Sequence, residues 1–403
     1  MILHATLNNR DHPEIGEVTI PFPIPEEEYA HCLELLAPMG LDDPVARQCN
    51  IVKVECGYQT LSMLEGTQVN LDELDYLSKR LDSFVVGEDD QFEAMACLLN
   101  LHDVRDFINL TFCCQQATVI TDFTKLEQAG REHYLNTHGG GAPVDVLNKL
   151  DTEQIARDLI ASGQGKVTPY GVVYDNGMEM EQCYRGHAFP GYLYGPKVMD
   201  VELEAPRNLG EVTVLQLPMP KEQLDRMLIR GGFGPADEFS MRVLDNRCPT
   251  EVSIVLGLMN FEKTTQGALR ELNEMCRPME QLASADLKKL DAIVAYVQPE
   301  YPFQIRHLAE NLEQFEFVPD VKTSEEYGRY MIQQSEQFDY DPNLEPYYDY
   351  EKYGADHVAW HGGKFTSYGF VAYMGTLSLE ELMIEDPSGP EENEEIQMGG
   401  GMA

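Results

Sequence analysis

Positive charge is what this chain has least of. Twenty-nine Lys and Arg stand against 69 Asp and Glu in 403 residues, a net charge of −40. That balance argues against a basic patch for nucleic acid and against adhesion to an anionic membrane. Long apolar runs are also missing, so no segment reaches the eighteen or so residues of a transmembrane helix. The opening MILHATLNNRDHP has neither a basic nor an apolar signal region, which predicts no signal peptide. The nine cysteines are odd in number and form no CxxC pair. Cys113-Cys114, in the run LTFCC, reads as buried thiols, and the whole predicts a reduced, cytoplasmic protein.

Catalytic signatures are equally sparse. His138-Gly-Gly-Gly141 resembles an oxyanion loop, but no GxSxG elbow accompanies it, and it reads as a loop. Gly-Lys at 165–166 and 363–364 lacks the following Ser/Thr and the first glycine of a phosphate loop. Asp339, Asp341 and Asn343 have calcium-loop spacing, but Leu344 stands where Gly is needed and Tyr350 where Glu is needed. The ten histidines contain no HExxH and no zinc spacing. The expectation is no catalytic residue, no metal and no cofactor. The single tryptophan, Trp360, reads as a packing residue.

What the chain does contain is a repeat. Asp151–Gly177, DTEQIARDLIASGQGKVTPYGVVYDNG, lies without a gap over Asp349–Gly375, DYEKYGADHVAWHGGKFTSYGFVAYMG, at an offset of 198, and eleven of the 27 pairs are identical. The same offset brings Leu71–Asp75 onto Leu269–Asn273 and Glu127–Arg131 onto Glu325–Arg329. At an offset of 194 to 195, Gly16–Ile20 meets Gly210–Val214 and Pro23–Pro25 meets Pro218–Pro220. Two related halves of about 200 residues are far longer than solenoid repeats, and they predict a duplicated multi-domain unit.

Each half reads as α+β: a small α/β domain, a helical bundle, and a second small α/β domain with short antiparallel sheets. The predicted boundaries are 1–67, 68–115 and 116–197 for the first copy and 198–265, 266–316 and 317–385 for the second, with 386–403 a disordered acidic and glycine-rich tail. Several local signals are specific. Pro25 precedes Glu26, Glu27 and Glu28 in a helical first turn, where the helix dipole favours carboxylates. Asn70 caps a helix with apolar Leu71, Leu74, Leu77 and Leu81; Asp72, Asp75 and Asp82 read as its solvated side. Glu88, Asp89 and Asp90 open the next helix, and Val104–Leu110 is a third. Thr124 reads as the cap of the following helix. Asp151–Ile160 is a helix, Val167–Tyr174 a strand and Asp175-Asn-Gly177 a turn.

The charge belongs to both halves. Residues 1–197 hold 31 acidic and 13 basic residues, net −18, and the remainder 38 and 16, net −22. Net charge of this size serves solubility, but its arrangement is uneven. Glu336–Glu351 carries Glu336, Asp339, Asp341, Glu345, Asp349 and Glu351 among Tyr340, Tyr347, Tyr348 and Tyr350.

The second half, with Leu269–Asn273, TSEEYGRYMI (Thr323–Ile332), YYDYEKYGADHV (Tyr347–Val358) and GGKFTSYGFVAY (Gly362–Tyr373), resembles the ArdA antirestriction family. LDELDYL, LEQAGREHYL and KVTPYGVVYDNG carry a looser match in the first half, where Thr152 and Ile155 replace Tyr350 and Tyr353. The resemblance implies an elongated, acidic, non-enzymatic α+β protein, carried on mobile elements, whose carboxylates imitate DNA phosphates and occupy the DNA site of type I restriction-modification enzymes. It implies that the partner-binding carboxylates are Glu26, Glu27, Glu28, Asp72, Asp75, Asp82, Glu88, Asp89, Asp90, Glu325, Glu326, Glu336, Asp339, Asp341, Glu345, Asp349, Glu351 and Asp356. Family members are usually nearer one copy, so two fused copies predict a monomeric pseudo-dimer rather than a homodimer. Matched to one duplex charge per ~1.7 Å, forty charges correspond to roughly 70 Å, or about 20 base pairs. Two other readings fit the acidity: a chaperone for basic proteins, and a mimic directed at another defence effector such as a CRISPR complex.

Overall fold

The computed structural model describes residues 2–192, 197–205, 212–335 and 339–384; the predicted tail lies outside them. The fold is α+β and forms two compact units: residues 1–245 with 262–266, and residues 246–261 with those from 267 onward.

The first unit opens with an antiparallel sheet. Strands β1 (Leu3–Asn9), β2 (Glu17–Phe22), β3 (Cys49–Cys56) and β4 (Gln68–Val69) stand in the order β2-β1-β3-β4. Strand β1, which no local sequence signal marks, is a central strand. Leu3, Ala5 and Leu7 alternate inward, as period-2 burial requires. Helix α1 (Tyr29–Leu36) follows the Glu26–Glu28 turn. Helices α2 (Leu71–Asp82), α3 (Glu88–Leu99) and α4 (Val104–Leu110) form the predicted bundle. Asn70 and Glu73 close a capping box at the start of α2, which satisfies N–H groups the first turn leaves open. Apolar side chains from this sheet and bundle share one core. Cys113 and Cys114 are buried in it, as the LTFCC run implies, and burial pushes the Cys113 thiol up to about 11.

A smaller module follows: β5 (Thr118–Ile120), α5 (Leu126–Thr137), α6 (Val144–Leu147), α7 (Thr152–Ala161), β6 (Lys166–Thr168) and β7 (Gly171–Tyr174), with sheet order β5-β7-β6. Asp151 caps α7, accepting from the Gln154 N–H at 3.0 Å. Thr124 does not cap α5; Asp122 captures its backbone N–H and its hydroxyl instead. The single strand predicted for Val167–Tyr174 is a hairpin. Its turn is tied by the Thr168 hydroxyl donating to the Gly171 carbonyl at 2.9 Å, a local side-chain bond that competes with strand continuation.

The unit also contains β8 (Met199–Glu204), β9 (Val212–Leu217), α8 (Lys221–Arg230) and β10 (Ser240–Asn246), in the order β10-β8-β9. β1 pairs antiparallel with its hairpin partner β2 and lies beside β3; β8 does the same with β9 and β10.

The second unit contains α9 (Thr250–Leu258), α10 (Gln266–Gln281), α11 (Ser284–Val297) and α12 (Pro302–Glu310). It closes with β11 (Phe315–Pro319), α13 (Ser324–Gln333), α14 (Tyr350–His361), β12 (Lys364–Phe365), β13 (Gly369–Tyr373) and α15 (Leu379–Leu382). Helix α12 ends at Glu310, and after a 3-10 turn over Leu312–Gln314 the chain enters β11.

The sheet β11-β13-β12 repeats β5-β7-β6 in order and in register. Thr118 faces Tyr174 and Glu316 faces Ala372; Lys166 faces Val173 and Lys364 faces Val371. Every one of these positions is displaced by 198. The helix crossings repeat as well. A Cβ on Gly130 would lie 1.7 Å from the Thr152 carbonyl, and one on Gly328 2.0 Å from that of Tyr350. Only glycine allows backbones this close.

Among the described residues, no helix is long and apolar enough to cross a membrane.

Candidate partner-binding surface

The carboxylates singled out in the sequence divide into three groups. The first is buried. Asp72 and Asp75 are 1 % and 2 % exposed, so the solvated helix side inferred from their spacing is corrected. Arg226 of α8 grips Asp72 with two nitrogens, Nε at 3.1 Å and Nη2 at 2.9 Å, and the Tyr29 hydroxyl donates to it at 2.6 Å. Burial, then the Asp72 charge, pushes the Tyr29 hydroxyl well above its ordinary range. Asp75 accepts from the Ile24 N–H at 2.8 Å and pairs with Lys79 at 2.8 Å. Arg230 donates to Asn70 Oδ1 and to the Pro44 carbonyl. Nearby, Glu73 accepts from Arg47 at 2.8 Å and from the Tyr184 hydroxyl at 2.9 Å. A buried charge left unpaired costs several kcal/mol, so these acids are held as internal partners. Helical spacing could not show this, because Arg226 and Arg230 lie more than 150 positions away from Asp72 and Asn70 in sequence.

The second group is exposed but occupied. Glu26 pairs with Lys197 at 2.6 Å. Half-buried Glu88 accepts from the Val85 N–H, and Asp89 from the Tyr58 hydroxyl. Burial, then neighbouring Asp89, holds the Asp90 carboxyl above its ordinary value. In α13, Glu326 closes a capping box with Thr323, and the Lys322 N–H leads the contacts that hold its carboxyl low. Arg329 bridges Glu325 at 3.2 Å and Glu345 at 3.4 Å.

The third group faces solvent: Glu27, Glu28 and Asp82 in the first unit, and Asp339, Asp341, Asp349, Glu351 and Asp356 in the second. Glu336 lies outside the described residues. Asp341 caps a 3-10 turn over Pro342–Tyr347, and Asp349 caps α14. Capping removes their freedom to wander and fixes where their charge stands. Asp341 spends its spare capacity on Asn343, within its own turn. Among the described residues, no group of three or more His, Cys, Asp or Glu could hold a metal ion.

Aromatic rings floor this segment. Tyr340, Tyr348 and Tyr350 follow one another at 5.8 Å centroid spacings. Gln333 donates to the Tyr350 hydroxyl at 2.9 Å, and the Arg329 guanidinium lies 4.4 Å over the Tyr350 ring. Trp360 is not a packing residue: it is 83 % exposed, and Tyr347 is 84 % exposed. An isolated Trp carries no sequence signal of its exposure. Its place on α14 among Glu351, Lys352, Ala355, Asp356 and Ala359, all exposed, does.

The residues 218–372 match the family model described as antirestriction protein (ArdA). That span runs from the end of β9 into β13, and no family match covers the other half of the chain. No curated protein matches the chain.

Proposed function

From an ArdA antirestriction domain at residues 218–372, we propose that this chain is a DNA mimic. It occupies the DNA-binding site of a type I restriction-modification enzyme and protects incoming mobile DNA, without catalysing a reaction. One observation carries the reading: Asp339, Asp341, Glu345, Asp349, Glu351 and Asp356 are all exposed within the matched span. Two of them are fixed as helix caps and one is held by Arg329. Carboxylates held in place can stand for phosphates at fixed spacing. Carboxylates on mobile side chains offer only net charge. On the first unit Glu26, Glu27, Glu28, Asp82, Asp89 and Asp90 are exposed as well, whereas Asp72 and Asp75 are buried.

The match between the two halves in register supports a duplicated unit in one chain, which acts as a monomer of about 46 kDa.

The test is restriction of unmodified phage in cells carrying a type I system. Expression of the chain raises phage plating, and the purified protein competes with duplex DNA for the enzyme, less well as salt rises. Exchanging Asp339, Asp341, Glu351 and Asp356 with nearby neutral positions keeps the net charge and removes protection. Unchanged restriction across several type I systems refutes the reading. Protection that follows net charge alone marks an acidic chaperone instead.

A further inference from the structure

We infer that Tyr347 and Trp360 are aromatic anchors for arginine side chains on the basic surface of the partner. The inference rests on the DNA-mimic reading and adds a recognition device that phosphate imitation alone would not contain.

Four observations carry it. First, both rings are more than four-fifths exposed, although large aromatics are ordinarily drawn out of water. Second, the fold does not need them. At the positions 198 residues earlier, the first unit builds the same sheet and helix pair with Lys149 and Ser162. Third, each ring stands beside carboxylate. In a 3-10 turn residues three apart eclipse one another, so Leu344, itself 48 % exposed, and Tyr347 form a ridge in line with the capping Asp341. On α14, Asp356 lies one turn before Trp360 and shares its face. Fourth, the same module already holds a guanidinium in this way: Arg329 lies over Tyr350 and pairs with Glu325 and Glu345.

Charge complementarity selects the occupant. Residues 339–361 carry six carboxylates and one lysine, which repels anionic ligands and attracts cations. An aromatic face prefers arginine, whose flat, weakly hydrated guanidinium stacks while its edge bonds a carboxylate; the ammonium of lysine is a hydrated point charge. Tyr, Trp and Arg also dominate the energetics of protein interfaces.

Trp360 is the only tryptophan, so its fluorescence reads its own site. The full chain is titrated with a nona-arginine and a nona-lysine peptide at equal ionic strength. Nona-arginine should shift the emission and bind several-fold tighter. Tyr347→Ala with Trp360→Ala, followed by peptide anisotropy, should weaken nona-arginine about tenfold and nona-lysine less than twofold. Trp360→Phe should restore part of the loss. Circular dichroism checks that the variants fold.

Equal peptide affinities, or a double variant that keeps its preference for arginine, overturn the inference. The restriction assay separates it from the reading beneath it. A wild type that fails to protect sinks the mimic while the titration still judges the anchors. A double variant that protects as well as wild type sinks the anchors alone.

Discussion

The modules over residues 118–174 and 315–373 have one backbone plan and two interiors. In the first, Ala129 of α5 sits in the same small core as Tyr174 of β7. In the second, displaced by 198, Tyr327 of α13 sits with Ala372 of β13. The ring has changed sides while one large and one small residue remain. Interiors tolerate exchanges that keep total volume and pattern. What stays fixed is the scaffold: the glycine at the helix crossing, the aspartate caps Asp151 and Asp349, and the threonine turns at Thr168 and Thr366, each bonded to the carbonyl three residues on. Surfaces diverge most freely, with Pro143 and Leu147 in the first half standing where Asp341 and Glu345 stand in the second.

The largest expected effect concerns the related helices α1 and α8. Arg226→Ala strands Asp72 in the interior and should cost about 3–5 kcal/mol. His31, its counterpart at an offset of 195, is solvent-exposed; His31→Ala should stay within about 0.5 kcal/mol. Equal losses in urea denaturation would show that the two helices do the same structural task. Next come the swapped rings. Tyr327→Ala should cost roughly 3–4 kcal/mol and Ala372→Tyr alone about 1–3 kcal/mol. Combined with Phe370→Val, which recreates the first module, their losses should fall short of additive by more than about 1 kcal/mol. Strict additivity would show that the rings fill separate spaces.

Smaller, and equal in both modules, is the cost of a methyl group at the crossing. Gly130→Ala and Gly328→Ala should each lose about 1–3 kcal/mol; loss in one alone would mean that the crossings differ in tolerance. Acid is the gentlest probe. Backbone N–H groups of Ala46 and Val45 hold the Asp43 carboxyl low. Burial raises that of Asp103, but Arg47 outweighs it and the net direction is down. Such groups contribute stability that is present above the ordinary carboxylate value near 4 and lost as pH falls through the lowered one. The melting temperature should therefore hold from pH 7 to 5, as self-repulsion eases, and drop below about pH 4. A steady fall from pH 7 would contradict the sign.

Local chemistry was the legible part of the sequence. The Asn70 cap, the bundle helices and the Asp175–Gly177 turn are written in neighbouring residues, and the 198 offset carries through to strand register. Long-range pairing was not legible. Strand β1 has a pattern that only its partners β2 and β3 explain, and the Thr168 turn interrupts a run that reads as one strand. Most of the candidate carboxylates do lie on the surface. Asp72 and Asp75 mislead because an acidic helical stripe looks the same whether it meets water or a distant helix, here α8, which brings Arg226 to Asp72 and Gln223 to Asp75.

The plug of Arg226 and Arg230 into the α2 socket is a contact between unlike faces. Such a contact, repeated head to tail, would propagate into a filament. The repeat-related positions cannot make it again. Helix α1 presents His31 and Leu35 in place of the arginines, and α10 carries Arg270 and Asn273 in place of Asp72 and Asp75. Arginine would meet arginine. The Arg226–Asp72 joint is thus written once in the chain, because the four repeat-related side chains do not carry its chemistry.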